Sequence, residues 1–233
     1  MAQGSDARRW GPVAAYALLA ASTQLLWLTY APLTTAAAHH YKVSETAIGW
    51  LAELFPLLYV VLALPAGRLL DRSFHRWLAV GAVLTAIGGL VRLIAADYIW
   101  ALAGQILVAV AQPLVLNAVT KVAAEYLPVK LRPHGIAVGS AGIFGGMLLA
   151  LVLGTILGGS EIPALLIVQA AFAVIAAAVL CGQLRHRGGG PKAAAATPSR
   201  LHRPEPSRRA GSRPCSPRSG SDAGAPAARS LGR

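Results

Sequence analysis

The hydrophobic positions of this chain fall into long continuous runs separated by short polar segments. A helix needs about 20 consecutive apolar residues to cross a hydrocarbon layer of ~30 Å, and each run is about that long or longer. We therefore predict an all-α integral membrane protein with six transmembrane helices. The six runs are residues 11–38, 46–67, 77–96, 99–119, 134–158 and 162–184.

The first run has a competing interpretation as a signal peptide. Arg8 and Arg9 precede it, and the alanines at 36–38 resemble a cleavage site. The apolar region of a signal peptide covers only about 7–15 residues, and this run is about twice as long. The length favours a transmembrane helix, which leaves residues 1–10 as a short polar N-terminus.

Composition supports a membrane protein and shows where the chain changes character. Hydrophobic residues make up 55% of the sequence and charged residues only 13%, against about 25% charged in soluble domains. The net charge of +12 is concentrated at the end, since residues 185–233 hold 11 of the 21 Lys and Arg. From residue 188 the sequence is rich in Pro, Ser, Arg and Ala, and such a segment buries too little apolar surface to fold. We predict a transmembrane domain over residues 11–187 and a disordered basic tail over 188–233.

The tail has further interpretations that stay open. A basic segment near a membrane is attracted to anionic lipid. Stacking aromatics are not interleaved with its arginines, so nucleic acid is not an expected partner. The abrupt change of composition also resembles a message read out of frame, which suggests a truncated or frameshifted product.

Lys and Arg residues predict the orientation. Cytoplasmic segments carry the excess of basic residues in membrane proteins. With the N-terminus inside, the outer segments hold only Lys42 and Arg92. We expect a multi-pass protein of the cell membrane with both termini cytoplasmic. The inner basic residues are Arg8, Arg9, Arg68, Arg72, Arg76, Lys121, Lys130 and Arg132.

A charged segment between the second and third runs carries a recognisable spacing. Residues 67–76 read GRLLDRSFHR, which resembles the G-x-L-x-D-R-x-G-R-R loop of the major facilitator superfamily, although Phe74 and His75 depart from it. The resemblance implies one six-helix half of that fold, built from two inverted three-helix repeats. It also implies that Asp71 holds the outward-facing state against the opposite half. An ordinary positive-inside loop is the simpler alternative. The matching residues are Gly67, Leu69, Asp71, Arg72 and Arg76.

The fifth run contains seven glycines, several of them four residues apart. Small residues at this spacing flatten one helix face, so that a neighbouring backbone approaches closely. We favour tight packing as the interpretation. A resemblance to the fifth-helix motif of superfamily antiporters is the alternative, although Ser140 stands where that motif has proline.

Two further stretches resemble one branch of the superfamily, the feline leukaemia virus subgroup C receptor-related proteins. Residues 104–112 match G-Q-x-L-x-x-V-A-Q, and Trp27 with Tyr30 matches W-x-x-Y. The broader superfamily usually has arginine in the place of Gln105. The resemblance implies transport of choline and ethanolamine-like amines, with haem also associated with the branch. It also implies that Trp27 and Gln112 line the ligand cavity, and Tyr30 and Gln105 complete the candidate set.

The chemistry of these residues agrees with that implication. A quaternary ammonium is held well over an indole face such as that of Trp27, and Gln112 is able to orient a hydroxyl group. In the simpler alternative, Trp27 only packs and Gln112 only bonds between helices. Glu53 is a separate candidate for a proton or cation site, because a carboxylate within a membrane run is costly and often functional. Its position about two turns from the outer end leaves a hydrated side chain as the alternative.

The sequence does not suggest an enzyme, a cofactor or a metal site. His39 and His40 are adjacent in a loop without a third ligand, and Cys181 and Cys215 have no redox or metal spacing. We predict a secondary transporter of small molecules, and a non-transporting scaffold or truncated relic is the rival. Polar residues on the inner face, including Asn117, need covering in the bilayer. We expect either a homodimer about an axis along the membrane normal or a separately encoded second half.

Overall fold

The computed structural model of the protein describes residues 2–158 and 161–187, with side chains from residue 9 to 186. Within these ranges the chain is helical and contains no strand. The predicted disordered tail, residues 188–233, lies outside the described residues. The α-helices are α1 (Ala2–Trp27), α2 (Thr34–Tyr41), α3 (Glu45–Arg72), α4 (Phe74–Val91), α5 (Tyr98–Leu116), α6 (Val119–Tyr126), α7 (Arg132–Leu157) and α8 (Ile162–Arg187). Short 3₁₀ segments cover Leu28–Leu33 and Val129–Leu131.

Six helical segments of the described chain are long and apolar enough to cross a membrane, which confirms the prediction of six spans. The first span is composite and runs through α1, the 3₁₀ segment and α2. Pro32 lies inside the 3₁₀ segment and has no N–H to continue the α-helical ladder. The other spans are α3, α4, α5, α7 with the turn before it, and α8.

The expected loop over residues 67–76 is almost entirely helical. Helix α3 continues to Arg72 and α4 begins at Phe74, so only Ser73 stands outside a helix. Leu70 is buried and extends the apolar face of α3 by another turn, which explains why the helix does not stop at Gly67. The polar segment between the fourth and fifth runs, residues 120–133, is likewise largely helical and contains most of α6 and a 3₁₀ turn.

Helix packing follows the pattern of two related three-helix units. The first span packs against the fifth, and the fourth packs against the second. The first span also packs against the sixth, and correspondingly the fourth span packs against the third. The third and sixth spans pack against each other. Exchanging spans 1–3 with spans 4–6 reproduces the same set of pairs. Because each unit has three spans, the two units cross the membrane in opposite directions, as expected for inverted repeats.

The glycines of α7 let a neighbouring helix approach closely, as the spacing predicted, and that neighbour is α1. A Cβ atom on Gly142 would overlap the backbone of Ala17, and one on Gly146 would overlap the backbone of Ala21. Both helices thus use positions four residues apart at the contact, which is the geometry that small residues permit. Gly145 lies on the other side of α7, where a Cβ atom would have nothing within 4 Å.

Candidate functional site

Trp27 is held in position by the second span. Its indole Nε1 donates to the carbonyl oxygen of Ala52 at 2.9 Å. Pro56, four residues after Ala52, has no N–H to occupy that carbonyl within the helix. The indole also stacks on Phe55, with ring centroids 6.0 Å apart and planes 28° apart. Trp27 keeps part of its surface exposed, so an oriented aromatic ring remains accessible.

Gln112 lies in the second half of α5 and is only 4% exposed. Among the described residues, its side-chain amide makes no hydrogen bond to another group. Its amide nitrogen and oxygen are not fully enclosed, so both still reach open space. Gln112 is therefore the member of the predicted set whose polar group is left for a ligand or water.

Gln105 is fully buried and is already engaged with protein groups. Its Oε1 accepts a hydrogen bond from the guanidinium of Arg92. Its Nε2 lies 3.3 Å from the carbonyl oxygen of Trp27, to which it donates. Gln105 thus connects α5 to the end of α1 and to the end of α4, and its contacts orient protein groups.

Arg92 is a buried polar residue that the sequence interpretation did not single out as a candidate. Its place near the end of a run predicts an outer segment, but it is 2% exposed and lies in the bundle interior. Its guanidinium donates to Thr29 Oγ1 at 3.0 Å and to the carbonyl oxygen of Leu26 at 2.8 Å. In the described part of the chain no carboxylate pairs with it. The partial negative charge at the C-terminal end of α1 stabilises the cation instead.

Tyr30 belongs to the same buried network. Its hydroxyl lies 3.1 Å from the hydroxyl of Tyr41, and its ring lies under Arg92, whose Cζ is 5.9 Å from the ring centroid. Thr29 extends the network by donating to Gln169 Oε1 at 2.7 Å. The network therefore joins spans one, three, four and six near the break between α1 and α2. One sequence feature pointed to this network. Gln105 stands where the superfamily usually has an arginine, and in this chain Arg92 supplies a buried arginine beside it.

The signature residues lie at the end of α3 and the start of α4. Asp71 forms an ion pair with Lys121 of α6, and both side chains are solvent-accessible. His75 Nε2 lies 3.1 Å from the hydroxyl of Tyr126, also on α6. Gly67, Arg72 and Arg76 lie on the same two helices. These contacts link the junction of the second and third spans to the helix that follows the fourth, within this six-helix unit.

Two other polar residues of α3 and α5 have different surroundings. Asn117 accepts from the hydroxyl of Tyr59 and donates to the carbonyl oxygen of Ala63, each at 3.0 Å, so it bonds between helices. Glu53 is exposed on α3. No group of three His, Cys, Asp or Glu residues suited to a metal ion occurs within the described ranges.

Comparison with known proteins gives the chain a family. The sequence profile of the Major Facilitator Superfamily matches residues 13–221. The zebrafish (Danio rerio) protein "Solute carrier family 49 member A3" is 34% identical over 155 residues, which are 63% of this chain and 33% of that protein.

Two further relatives are similar over shorter or weaker matches. The human (Homo sapiens) "Choline/ethanolamine transporter FLVCR2" is 29% identical over 123 residues, 51% of this chain and 23% of that protein. The Caenorhabditis elegans "Uncharacterized MFS-type transporter C09D4.1" is 26% identical over 146 residues, 60% of this chain and 24% of that protein. The chain thus spans about a quarter to a third of the length of these relatives.

Proposed function

Because the chain belongs to the major facilitator superfamily, a family of membrane transporters, we propose that it forms one six-helix half of a secondary transporter for small organic amines of the choline type. The observation that carries this proposal is the combination of Trp27 and Gln112. Trp27 is a partly exposed indole fixed by Ala52 and Phe55. Gln112 is a largely buried side chain whose amide has no protein partner among the described residues and is not fully enclosed.

The chemistry of these two side chains suits a ligand with a quaternary ammonium and a hydroxyl group. The ammonium has no N–H to donate, and the face of an indole attracts it electrostatically. The Gln112 amide offers an NH2 donor and a carbonyl acceptor, either of which is able to bond to the hydroxyl. The name of the human relative, a choline/ethanolamine transporter, supports the same ligand class.

Tyr30 and Gln105 take a supporting part in this proposal. Both are tied into the network around Arg92, so they fix the end of α1 next to Trp27. Their role is then to hold the aromatic ring where a ligand meets it. Glu53 remains a proposed proton or cation site, and its exposure on α3 supports access from the cavity side or from a covering subunit.

A partner is proposed to cover the faces of α3 and α7. Both spans are largely exposed in this six-helix unit, with large apolar side chains such as Val60, Leu64, Phe144 and Ile156 at the surface. Halves of related transporters pack about an axis along the membrane normal. A second copy related by such an axis, or a separately encoded second half, would enclose the cavity.

The orientation proposed is N-terminus and C-terminus cytoplasmic in the plasma membrane. The basic residues of the α3–α4 junction, of α6 and of the start of α7 share one end of the bundle, which we name the basic end. The positive-inside rule assigns the basic end to the cytoplasm. A cysteine at Ser73 should then react with a maleimide only after the membrane is permeabilised, and labelling from outside would reverse the orientation.

Uptake of labelled choline and ethanolamine by vesicles containing the purified full chain tests the function. Replacing Trp27 with Ala should weaken choline binding about two- to thirty-fold, the range that a cation–π contact contributes. Trp100, an exposed tryptophan at the start of α5, provides the matched control, and its replacement with Ala should leave binding unchanged. Equal effects of the two variants would argue against a site at Trp27.

The rival is a non-transporting membrane scaffold whose basic tail binds anionic lipid or nucleic acid. Removing residues 188–233 separates the two functions, since a transporter core keeps its choline binding without the tail. A scaffold would lose its binding partner in the same truncation. Loss of choline binding on truncation would contradict the proposed role of the six-helix unit.

A further inference from the structure

A groove of about 550 Å³ opens between α4 and α8 on the surface of the bundle. Its apolar floor includes Ala79, Val83, Leu84 and Leu184. These residues follow α4 for about two turns from its first turn and meet the last turns of α8. At 1.5 Å per residue, the stretch from residue 76 to 84 extends about 12 Å into the membrane.

The rim of the groove is positively charged. Arg76, at the start of α4, and Arg185, near the end of α8, both line it and are exposed. In the described chain, neither arginine has a carboxylate within ion-pair distance. His75 lines the same rim and lies 3.1 Å from the hydroxyl of Tyr126. Two guanidinium groups without an ion-pair partner among the described residues therefore line the rim at one end of the apolar groove.

The position of this groove matches the interface of a bilayer. Its charged rim lies at the basic end, where lipid headgroups are found, and its floor lies on spans that contact acyl chains. Basic pockets between transmembrane helices on the cytoplasmic side are suited to anionic headgroups. Guanidinium groups also bind phosphate oxygens through paired N–H donors. The groove lies on α4 and α8, away from the exposed faces of α3 and α7.

From this geometry we propose that the α4–α8 groove is a binding site for an anionic phospholipid of the surrounding bilayer. Arg76 and Arg185 hold the phosphate and the acidic headgroup, and one acyl chain lies along Ala79, Val83 and Leu184. The occupant is a bilayer lipid and not a soluble phosphate, because the apolar floor fits only a ligand that carries a hydrocarbon chain. The site is separate from the amine site proposed at Trp27.

Native mass spectrometry of the purified full chain provides the test, after reconstitution in vesicles of phosphatidylcholine that contain phosphatidylserine. Replacing both Arg76 and Arg185 with Gln should weaken phosphatidylserine retention about thirty-fold, equivalent to about 2 kcal/mol, the scale of a charge-assisted hydrogen bond between guanidinium and phosphate. The matched control replaces Arg68 and Lys130 with Gln. Both are exposed basic residues of the same end that do not line the groove, so retention should stay unchanged.

A second variant tests the floor without a change of charge. Val83→Trp fills the groove from a position that is 46% exposed, so the bundle has room for the larger ring. Phosphatidylserine retention should fall in this variant, although both arginines are intact. Equal losses in the Arg76/Arg185 and Arg68/Lys130 pairs, or unchanged retention in Val83→Trp, would overturn the proposal. Displacement of the lipid by soluble glycerol phosphate would overturn it as well, since the groove would then recognise a free phosphate.

Discussion

The guanidinium of Arg92 donates to the side-chain oxygen of Gln105 inside the bundle, where both side chains are almost completely buried. The cation of this region thus comes from the end of the third span, and the fourth span supplies a neutral acceptor. The carbonyl oxygen of Leu26, at the end of α1, accepts from the same guanidinium. One buried charge therefore joins three spans at the point where the first span breaks.

This relationship predicts opposite effects for two substitutions of Gln105. Gln105→Glu places a carboxylate beside the buried cation, so we expect thermal stability to be kept or raised. Gln105→Arg places two cations together in a buried site, so we expect a strong loss of folded protein. Thermal unfolding of the purified chain in detergent, followed by size-exclusion chromatography, measures both.

A neutral substitution of Gln105 shows how much stability is lost when only the hydrogen bond is removed. Gln105→Leu removes the acceptor and leaves a guanidinium N–H unpaired, which should cost about 1–3 kcal/mol. The ranking Glu, Gln, Leu, Arg from most to least stable follows from the buried charge. If Glu and Arg had the same effect, shape and not charge would dominate the site.

The second prediction concerns Trp27, Ala52 and Pro56. Trp27→Phe keeps an aromatic ring but removes the hydrogen bond to the carbonyl oxygen of Ala52, which should cost about 1 kcal/mol. Replacing Pro56 with Ala restores an N–H that reaches the same carbonyl within the helix. The cost of Trp27→Phe should therefore be smaller when Pro56 is also Ala. A double-mutant cycle on thermal stability measures the difference.

Full additivity in that cycle would contradict the proposed pairing of indole and carbonyl. The same variants also separate positioning from binding. Choline binding should survive Trp27→Phe better than Trp27→Ala, because a phenyl ring still presents an aromatic face to the cation.

The six spans could be predicted from the sequence because a membrane helix needs a run of about 20 apolar residues. Only these six segments of the chain contain such a run. A close helix contact of α7 could also be predicted, since glycines four residues apart share one helix face. The identity of its partner, α1, comes from the structure. Arg92 was not singled out because charge counting treats an arginine near the end of a run as part of the polar segment. Its burial depends on Gln105, Thr29 and the carbonyl of Leu26, which come together only in the folded bundle.

The same limit applies to the candidate site. Trp27 and Gln112 are candidates by resemblance, and the sequence could not show that Pro56 leaves a carbonyl for the indole to occupy. The continuation of α3 to Arg72 was missed because charged residues were counted as loop, although Leu70 continues the buried face. The resemblance-based site set stays a prediction.

The third prediction uses the glycines of α7. Gly146→Leu should strongly reduce the yield and stability of folded protein, because any side chain there meets the backbone of Ala21. Gly145→Leu is the matched control on the neighbouring position, where nothing lies within 4 Å of a new Cβ. Fluorescence-detected size-exclusion chromatography of the two variants provides the comparison. Similar behaviour of both would mean that the α1–α7 contact does not limit folding.

The fourth prediction concerns Asp71 and Lys121. Their ion pair is solvent-accessible, with 72% of Asp71 exposed, so Asp71→Asn should change stability by less than about 1 kcal/mol. If Asp71 acts in the change between outward- and inward-facing states, the variant should still lower choline uptake severalfold. Thermal stability and uptake measured on the same preparation distinguish the two roles. Lys121→Gln breaks the same pair, and an unchanged uptake in both variants would restrict the pair to local structure.

The last prediction concerns what covers the exposed faces of α3 and α7. A cysteine at Gly145 lies on the open side of α7, in a chain whose Cys181 and Cys215 are replaced with Ser. If a second copy covers this face about an axis along the membrane normal, a short bis-maleimide should crosslink the Gly145→Cys chains into dimers. A cysteine at Ile175 of α8, which is 60% exposed on another span, should give far less dimer. Equal crosslinking at both positions would indicate random collisions in the bilayer. Monomer at both positions, together with choline uptake in native membranes but not in vesicles of the purified chain, would favour a separately encoded second half over a homodimer.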